Sequence, residues 1–114
     1  MAAVTHAPMV LEAVERFGRA LRERFGSRVR DVILFGSHAR GEAHEESDAD
    51  VMVAVDDLTD DERIGVFDLA VAVDRSLPEW VGLSPLAYST AQTERMRAGG
   101  RRLFRDIERE GIRL

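Results

Sequence analysis

Apolar residues recur along the first part of the chain at the spacing of an α-helix. Intervals of four, three, four and four residues separate Val10, Val14, Phe17, Leu21 and Phe25. This period places the five side chains on one side of a helix and leaves the charged residues between them on the other. Because proline suits the first turn of a helix and glycine its end, the pattern predicts a helix from about Pro8 to Gly26.

Two shorter apolar runs that follow predict β-strands. The first covers residues 29–35 and ends in a continuous apolar run, which is typical of a strand in the middle of a sheet, before Gly36 ends it. The second covers residues 50–55, where valines alternate with other residues so that the two sets point to opposite faces. We expect a short helix directly after Gly36.

A capping box marks the start of a longer helix. Thr59 is followed three residues later by Glu62, and in this pairing each side chain satisfies a backbone N–H group at the helix start. The helix is expected to run to about Ser76 and to end before Pro78. Its apolar positions predict burial of Ile64, Phe67, Ala70, Val71 and Leu77.

The rest of the chain predicts one more strand and two helices. Residues 80–89 are expected to form a third strand at an edge or a bulge of the sheet, because Pro85 cannot donate a backbone hydrogen bond. A short helix that begins after Ser89 ends at Gly99 and Gly100. The last helix covers residues 101–110 and is expected to bury Leu103, Phe104 and Ile107.

This order of elements predicts an α/β or α+β fold. The sheet is expected to be small and mixed, with three to four strands and with helices packed on it. At 114 residues the chain is long enough to bury one core and too short for a second. We therefore expect a single domain over residues 1–114.

Composition and charge exclude several classes of function. The formal net charge of −5 and the pI near 5.2 argue against a protein that binds long nucleic acid, since such binding needs a basic surface. All 16 basic residues are arginine and cysteine is absent, which excludes a catalytic lysine, a disulfide and a thiol nucleophile. The start of the chain does not resemble a secretory signal, and the longest uncharged stretch, 80–93, is too short for a membrane span. A cytoplasmic protein is expected.

The candidate chemistry lies between the first two strands. Gly36 and Ser37 predict a sharp turn into a helix that points N–H groups outward and suits an anion, with the Ser37 hydroxyl as a further donor. Asp48 and Asp50 project from one face of the second strand, and at ~6 Å their repulsion is on the order of 3 kcal/mol. Mg²⁺ removes that repulsion because it binds carboxylate and phosphate oxygens. Taken alone, Gly36 and Ser37 would also fit a simple turn, and Asp48 and Asp50 would also fit a solvated strand end.

Taken together, these residues carry a family resemblance. The pattern G-S-x-A-R-G-x(5)-S-D-x-D is formed by Gly36, Ser37, Ala39, Arg40, Gly41, Ser47, Asp48 and Asp50. It resembles the minimal nucleotidyltransferases of the DNA polymerase β-like superfamily and is similar to MntA-type antitoxins, which implies the palm fold of that superfamily. The resemblance implies that Asp48 and Asp50 are catalytic and hold Mg²⁺. It also implies that a nucleoside triphosphate such as ATP is bound by Gly36, Ser37, Arg40 and Ser47. For Arg40, an ion pair within the domain is the alternative.

The chain departs from the family at one position. Members that catalyse transfer generally carry a third carboxylate on the next strand, where it completes a second metal site and activates the attacking hydroxyl. Ser84 stands where that acid is expected, and residues 80–93 contain no Asp or Glu. A hydroxyl cannot replace an anion as the ligand of a second divalent cation, so the departure puts two-metal catalysis in question. Binding of the nucleotide and of one Mg²⁺ is still expected.

The resemblance implies transfer of a nucleoside monophosphate, AMP from ATP, onto an acceptor hydroxyl. Because the chain is too short to hold a small acceptor in an extra domain, a partner protein is the expected acceptor, and similar antitoxins are paired with a HEPN-type toxin. One alternative is a non-catalytic nucleotide-binding or antitoxin module, which Ser84 favours. Another is a small-molecule nucleotidyltransferase that works as a homo-oligomer.

Three further side chains are expected to lie outside this chemistry. His38 occupies the variable position of the motif and could contact phosphate, but an exposed histidine beside a loop is the favoured interpretation. Trp80 and Tyr88 could stack on a base, but packing in the apolar core is the favoured interpretation for both.

Overall fold

The computed structural model describes residues 8–41 and 48–114, and its elements follow the predicted order. The helices are α1 (Pro8–Phe25), α2 (Ser37–Arg40), α3 (Asp60–Ser76), α4 (Thr90–Ala98) and α5 (Arg102–Glu110). The strands are β1 (Val29–Phe35), β2 (Ala49–Val55), β3 (Leu83–Ser89) and β4 (Ile112–Arg113), and a turn of 3₁₀ helix, Gly26–Arg28, joins α1 to β1. No helix in these two ranges is long and apolar enough to cross a membrane.

The four strands form one mixed sheet in the order β3-β2-β1-β4. β1 runs antiparallel to both β2 and β4, whereas β2 and β3 are parallel and are connected through α3. The register pairs Phe35 with Asp50 and Asp50 with Ser84. The end of β1 and the starts of β2 and β3 therefore meet at one end of the sheet, and that end carries the motif.

Apolar side chains cover both faces of the sheet. The larger cluster packs the three valines of β2 against α1 and α3. The smaller cluster joins Met52 and Ala54 of the same strand to Phe104 and Ile107 of α5. The two side-chain sets of β2 thus face opposite layers, as the alternation predicted.

The local signals at the helix ends are confirmed. The predicted apolar side of α1 is buried along its whole length, from Val10 to Phe25. The Thr59 hydroxyl accepts from the Glu62 N–H group at 3.2 Å and the Glu62 carboxylate accepts from the Thr59 N–H group at 3.0 Å, which is the predicted capping box. A second capping box forms at the start of α4.

The predicted buried face of α3 is wrong at three positions. Ile64, Phe67 and Val71 are 61%, 46% and 39% exposed, whereas burial of Ala70 and Leu77 is confirmed. The helix carries two apolar stripes, and its buried side consists of Gly65, Val66, Ala70 and Val73 together with Asp74. These mostly small side chains let the helix lie close to the sheet, and the larger apolar residues are left on the outer side.

Smaller corrections apply to the C-terminal part. The third strand begins at Leu83 rather than at residue 80, and it is the edge strand that Pro85 predicted. The last helix begins at Arg102, and Leu103 on it is 37% exposed although it was predicted to be buried. Phe104 and Ile107 are buried as expected.

Candidate functional site

Gly36 ends β1 in a conformation that brings the following helix against Asp50. Its φ of 76° lies in the left-handed region, which glycine adopts without strain. A Cβ at this position would lie 2.6 Å from Asp50 Oδ2, so any larger residue would clash with the carboxylate. The Arg40 N–H group donates to the Gly36 carbonyl at 3.2 Å and closes the single turn of α2. Glycine is therefore required here for both conformation and close approach.

Gly82 plays the same part on the other side of the aspartate pair. Its φ is 81°, and a Cβ there would lie 2.9 Å from Asp48 Oδ1. The Gly82 carbonyl accepts from the Ala49 N–H group at 2.9 Å, which ties the segment before β3 to the start of β2. Each carboxylate of the motif thus lies against a glycine, and the two glycines come from different neighbouring strands.

Two neighbouring carboxylates place negative charge at this end of the sheet. Asp48 is exposed and Asp50 is half-buried. Burial raises the pKa of the Asp50 carboxyl, the negative charge of Asp48 raises it further, and the positive charge of His38 lowers it in part. The two carboxylates therefore repel one another in a partly desolvated place. An oxygen-bound divalent cation fits such a pair, because it would supply the missing positive charge.

Ser84 is the neighbour of Asp50 on β3. The parallel register pairs the two residues directly, and Ser84 is half-buried there. Among residues 8–41 and 48–114, no group of three or more His, Asp or Glu side chains is arranged to hold a metal ion. The described donor set for a cation is thus the aspartate pair with a hydroxyl beside it.

A buried carboxylate that the sequence did not single out organises the segment next to Asp48. Asp74 of α3 is 2% exposed. Its Oδ1 accepts from the N–H groups of Val81 at 2.9 Å and Gly82 at 3.1 Å, and its Oδ2 accepts from that of Leu83 at 2.8 Å. A carboxylate that accepts three backbone bonds is well satisfied without a cation. In the sequence, Asp74 could be identified only as an acidic residue on the buried side of a helix. That requires knowing which side of α3 is buried.

The other predicted site residues lie around α2. Ser37 begins α2, and Ser47 lies outside the described residues. Arg40 Nη1 forms an ion pair with Glu110 Oε2 at 3.3 Å, which links α2 to the end of α5. This is the alternative role considered for Arg40, and its contact with phosphate stays a prediction. His38 is half-buried and its charge acts on Asp50, so the expectation of an exposed side chain is wrong.

Comparison with known proteins identifies the class to which this strand, turn and aspartate pair belong. Residues 14–99 match the nucleotidyltransferase domain family, and the chain belongs to that family. Its fold also resembles a chain from the crystal structure of a toxin–antitoxin with AMP-PNP, with a TM-score of 0.55 and 20% identity over 87% of this chain and 70% of that one. At this identity the likeness supports the fold alone.

Three curated relatives share parts of the sequence. A putative protein adenylyltransferase of Methanocaldococcus jannaschii is 42% identical over 45 residues, which are 40% of this chain and 45% of the relative. The protein adenylyltransferase MntA of Thermococcus cleftensis is 45% identical over 56 residues, 46% of this chain and 54% of the relative. A second putative protein adenylyltransferase of M. jannaschii is 32% identical over 82 residues, 69% of this chain and 79% of the relative. The first two matches thus span about half the length of the relatives.

Proposed function

We propose that this chain moves a nucleoside monophosphate, AMP from ATP, onto an acceptor hydroxyl, with Mg²⁺ held by Asp48 and Asp50. The observation that carries this proposal is the convergence of two carboxylates between two close-approach glycines, Gly36 and Gly82. Asp50 is half-buried, the negative charge of the neighbouring Asp48 raises its pKa further, and the positive charge of His38 offsets this only in part. Such an arrangement costs stability unless a bound group uses it.

The chain's own residues have distinct tasks in the proposed reaction. Gly36, Ser37 and Ser47 would hold triphosphate oxygens, and Arg40 would add charge near them. The acceptor oxygen bonds to the α-phosphorus, the bond from that phosphorus to pyrophosphate breaks, and the hydroxyl proton passes to solvent. When bound, Mg²⁺ would neutralise charge on the transferred phosphate and on the pyrophosphate. Most of the catalysis would then be positioning and electrostatics.

Ser84 supports a second candidate function. With a hydroxyl rather than a carboxylate beside Asp50, the part of the site that the structure describes lacks the anion that would hold a second metal ion. The chain would in that case bind nucleotide as a structural ligand and neutralise its partner by contact. Transfer remains the preferred function because both aspartates and both close-approach glycines are present.

A partner protein is the acceptor that the surface favours. Three large apolar side chains, Ile64, Phe67 and Val71, are exposed along the outer side of α3, with exposed Asp61 and Asp68 beside them. We infer that this face binds the partner, which would present an apolar stripe with a basic rim. The relatives named as protein adenylyltransferases favour a protein as the acceptor, and the structural neighbour, a toxin–antitoxin, suggests a toxin. We propose a HEPN-type toxin, with the pair acting in the cytoplasm, over a small-molecule acceptor bound by a homo-oligomer.

Intact mass measurement of the partner tests the proposal. After incubation of the purified pair with ATP and Mg²⁺, we expect the partner to gain the mass of AMP and the Asp48→Ala variant to leave it unchanged. Phe67→Asp should weaken the complex. Asp56→Asn, at the opposite end of β2, should neither abolish the gain in mass nor weaken the complex. A stable complex with no mass change would favour the binding module, and a homo-oligomer without a partner would favour the small-molecule enzyme.

A further inference from the structure

We propose that Trp80 is a stacking surface for the base of the bound nucleotide, beside the aspartate pair. The inference rests on the proposed function, since it takes a nucleoside triphosphate as the ligand. Trp80 was expected to pack in the core, but it is 65% exposed and is the most exposed of the large apolar residues described. An exposed indole presents an open aromatic face on which a nucleotide base can stack.

The position of Trp80 favours a ligand of the aspartate site. The point where a Cβ would stand on Gly82 is 3.8 Å from Trp80 Nε1 and 2.9 Å from Asp48 Oδ1. The indole nitrogen and the carboxylate oxygen are thus both within 4 Å of one point beside Gly82. Because Gly82 has no side chain, nothing from that residue separates them.

The segment that carries Trp80 is fastened at both ends. Before Trp80, the Leu77 N–H group donates to the Asp74 carbonyl at 3.2 Å, and the Leu77 side chain is 8% exposed. After it, the N–H groups of residues 81–83 donate to the Asp74 carboxylate. Asp74 therefore acts as a positioning residue for the segment, and a ring held this way loses little conformational freedom when a ligand stacks on it.

The order of strands indicates which part of the nucleotide would reach Trp80. The turn at Gly36 ends β1, the aspartates begin β2, and the segment with Trp80 precedes β3. Neighbouring strands are about 4.8 Å apart, so the first and last of these places are roughly 10 Å apart, on opposite sides of the carboxylates. A triphosphate held at the turn and chelated at the aspartates would extend its nucleoside toward Trp80.

Tyr88, the alternative aromatic residue, is engaged elsewhere. It is half-buried in the smaller apolar cluster, where its ring centroid lies 6.2 Å from that of Phe104. It also lies four residues beyond Ser84 on β3, about 13 Å further along the strand. Of these two aromatic residues, Trp80 is the one placed to meet a base. Stacking accepts any base, so a weak base preference would follow.

Fluorescence offers a direct test because the chain contains one tryptophan. We expect Mg²⁺ and ATP to change the Trp80 emission beyond the change caused by Mg²⁺ with inorganic tripolyphosphate, which places the ion beside Asp48 but lacks a base. In calorimetry, Trp80→Ala should weaken binding of Mg²⁺-ATP by roughly 5- to 150-fold, the range for loss of one base–aromatic stack, and leave tripolyphosphate binding unaltered. Trp80→Phe should retain most of the affinity.

Leu103→Ala is the control, since it removes another large, partly exposed apolar side chain, on α5 and outside the proposed partner-binding face. It should leave Mg²⁺-ATP binding unchanged. If the wild-type chain binds Mg²⁺-ATP while its emission stays constant and Trp80→Ala binds equally well, the stacking role is wrong and the proposed function stands. If the wild-type chain does not bind Mg²⁺-ATP at all, the proposed function fails and this inference fails with it.

Discussion

The two ends of β2 carry the same residue type in opposite environments. Asp50, at the start of the strand, has a pKa raised by burial and by the charge of Asp48. Asp56, just past its end, accepts from the Thr90 hydroxyl at 2.6 Å and from Arg30 Nε at 2.8 Å, and these bonds lower its pKa. One end of the strand is electrostatically satisfied and the other is not. The satisfied end maintains the fold, and the unsatisfied end is available to a ligand.

The contrast extends to the groups around each aspartate. Next to Asp56, both terminal nitrogens of Arg28 donate to Glu62, at 2.7 and 2.8 Å, and Arg28 also donates to the Asp56 carbonyl. This pairing, together with the capping bond to Thr59, lowers the pKa of Glu62 to about 2. At the other end of the strand, Gly36 packs closely against the Asp50 carboxylate and Gly82 against that of Asp48. Like charges are therefore held close together at the end of β2 that carries the motif.

The largest effect is expected from removing a carboxylate at the unsatisfied end. Asp48→Ala should lower the rate of AMP transfer by at least about 10³-fold, or roughly 4 kcal/mol, because the divalent ion loses a ligand. The rate of AMP incorporation into the partner measures it. Asp56→Asn, at the satisfied end, should change the rate less than about threefold. A similar loss of transfer rate in both variants would contradict the inference that only the end of β2 with Asp48 takes part in the reaction.

Asp74→Ala should have the next largest effect, on stability. Three buried N–H groups would lose their acceptor, and the free energy of unfolding should fall by about 3 kcal/mol. Urea unfolding followed by circular dichroism measures the loss. Asp68→Ala on the exposed side of the same helix is the control and should cost less than about 0.5 kcal/mol. Equal midpoints for the two variants would contradict the fastening role of Asp74.

Local patterns were sufficient for the elements and for the motif. The period of α1, the capping box at Thr59 and the glycine after β1 each depend on residues close together in sequence, and the structure confirms all three elements. The buried side of α3 could not be predicted, because both of its stripes are apolar and only the sheet determines which one is covered. The roles of Gly82 and Asp74 were missed for a related reason. Their partners become neighbours only when β3 pairs with β2.

Ser84→Asp would increase the difference between the two ends of β2, because it adds a negative charge beside Asp50. A carboxylate paired with Asp50 in the sheet would supply the missing ligand for a second ion, and we expect AMP transfer at saturating Mg²⁺ to rise about tenfold, or roughly 1.4 kcal/mol. The transfer assay with a Mg²⁺ titration measures it. Ser84→Asn, which adds the bulk without the charge, should give no gain. If Ser84→Asp is no faster than the wild type, a third carboxylate at this position is not what limits the reaction.

The smallest predicted effect is on stability and has opposite signs at the two ends of β2. Because the folded pKa of Asp50 is raised above 3.8, ionising this group costs folding free energy as the pH rises through the folded pKa. Asp50→Asn should therefore stabilise the metal-free chain at pH 7 and lose that advantage below pH 3.8. Thermal unfolding at pH 7 and at pH 3 measures both values.

Asp56→Asn is the matched comparison, because its folded pKa lies below 3.8 and its charged form contributes stability that is lost as the pH falls through that pKa. This variant should be destabilised at pH 7, and the difference from the wild type should shrink in acid. Added Mg²⁺ should stabilise the wild type and leave Asp50→Asn unchanged, since a ligand stabilises only the state that binds it. Two variants that both destabilise the chain at pH 7 would show that the charge of Asp50 is compensated within the fold, and the site would then lose its electrostatic case for a cation.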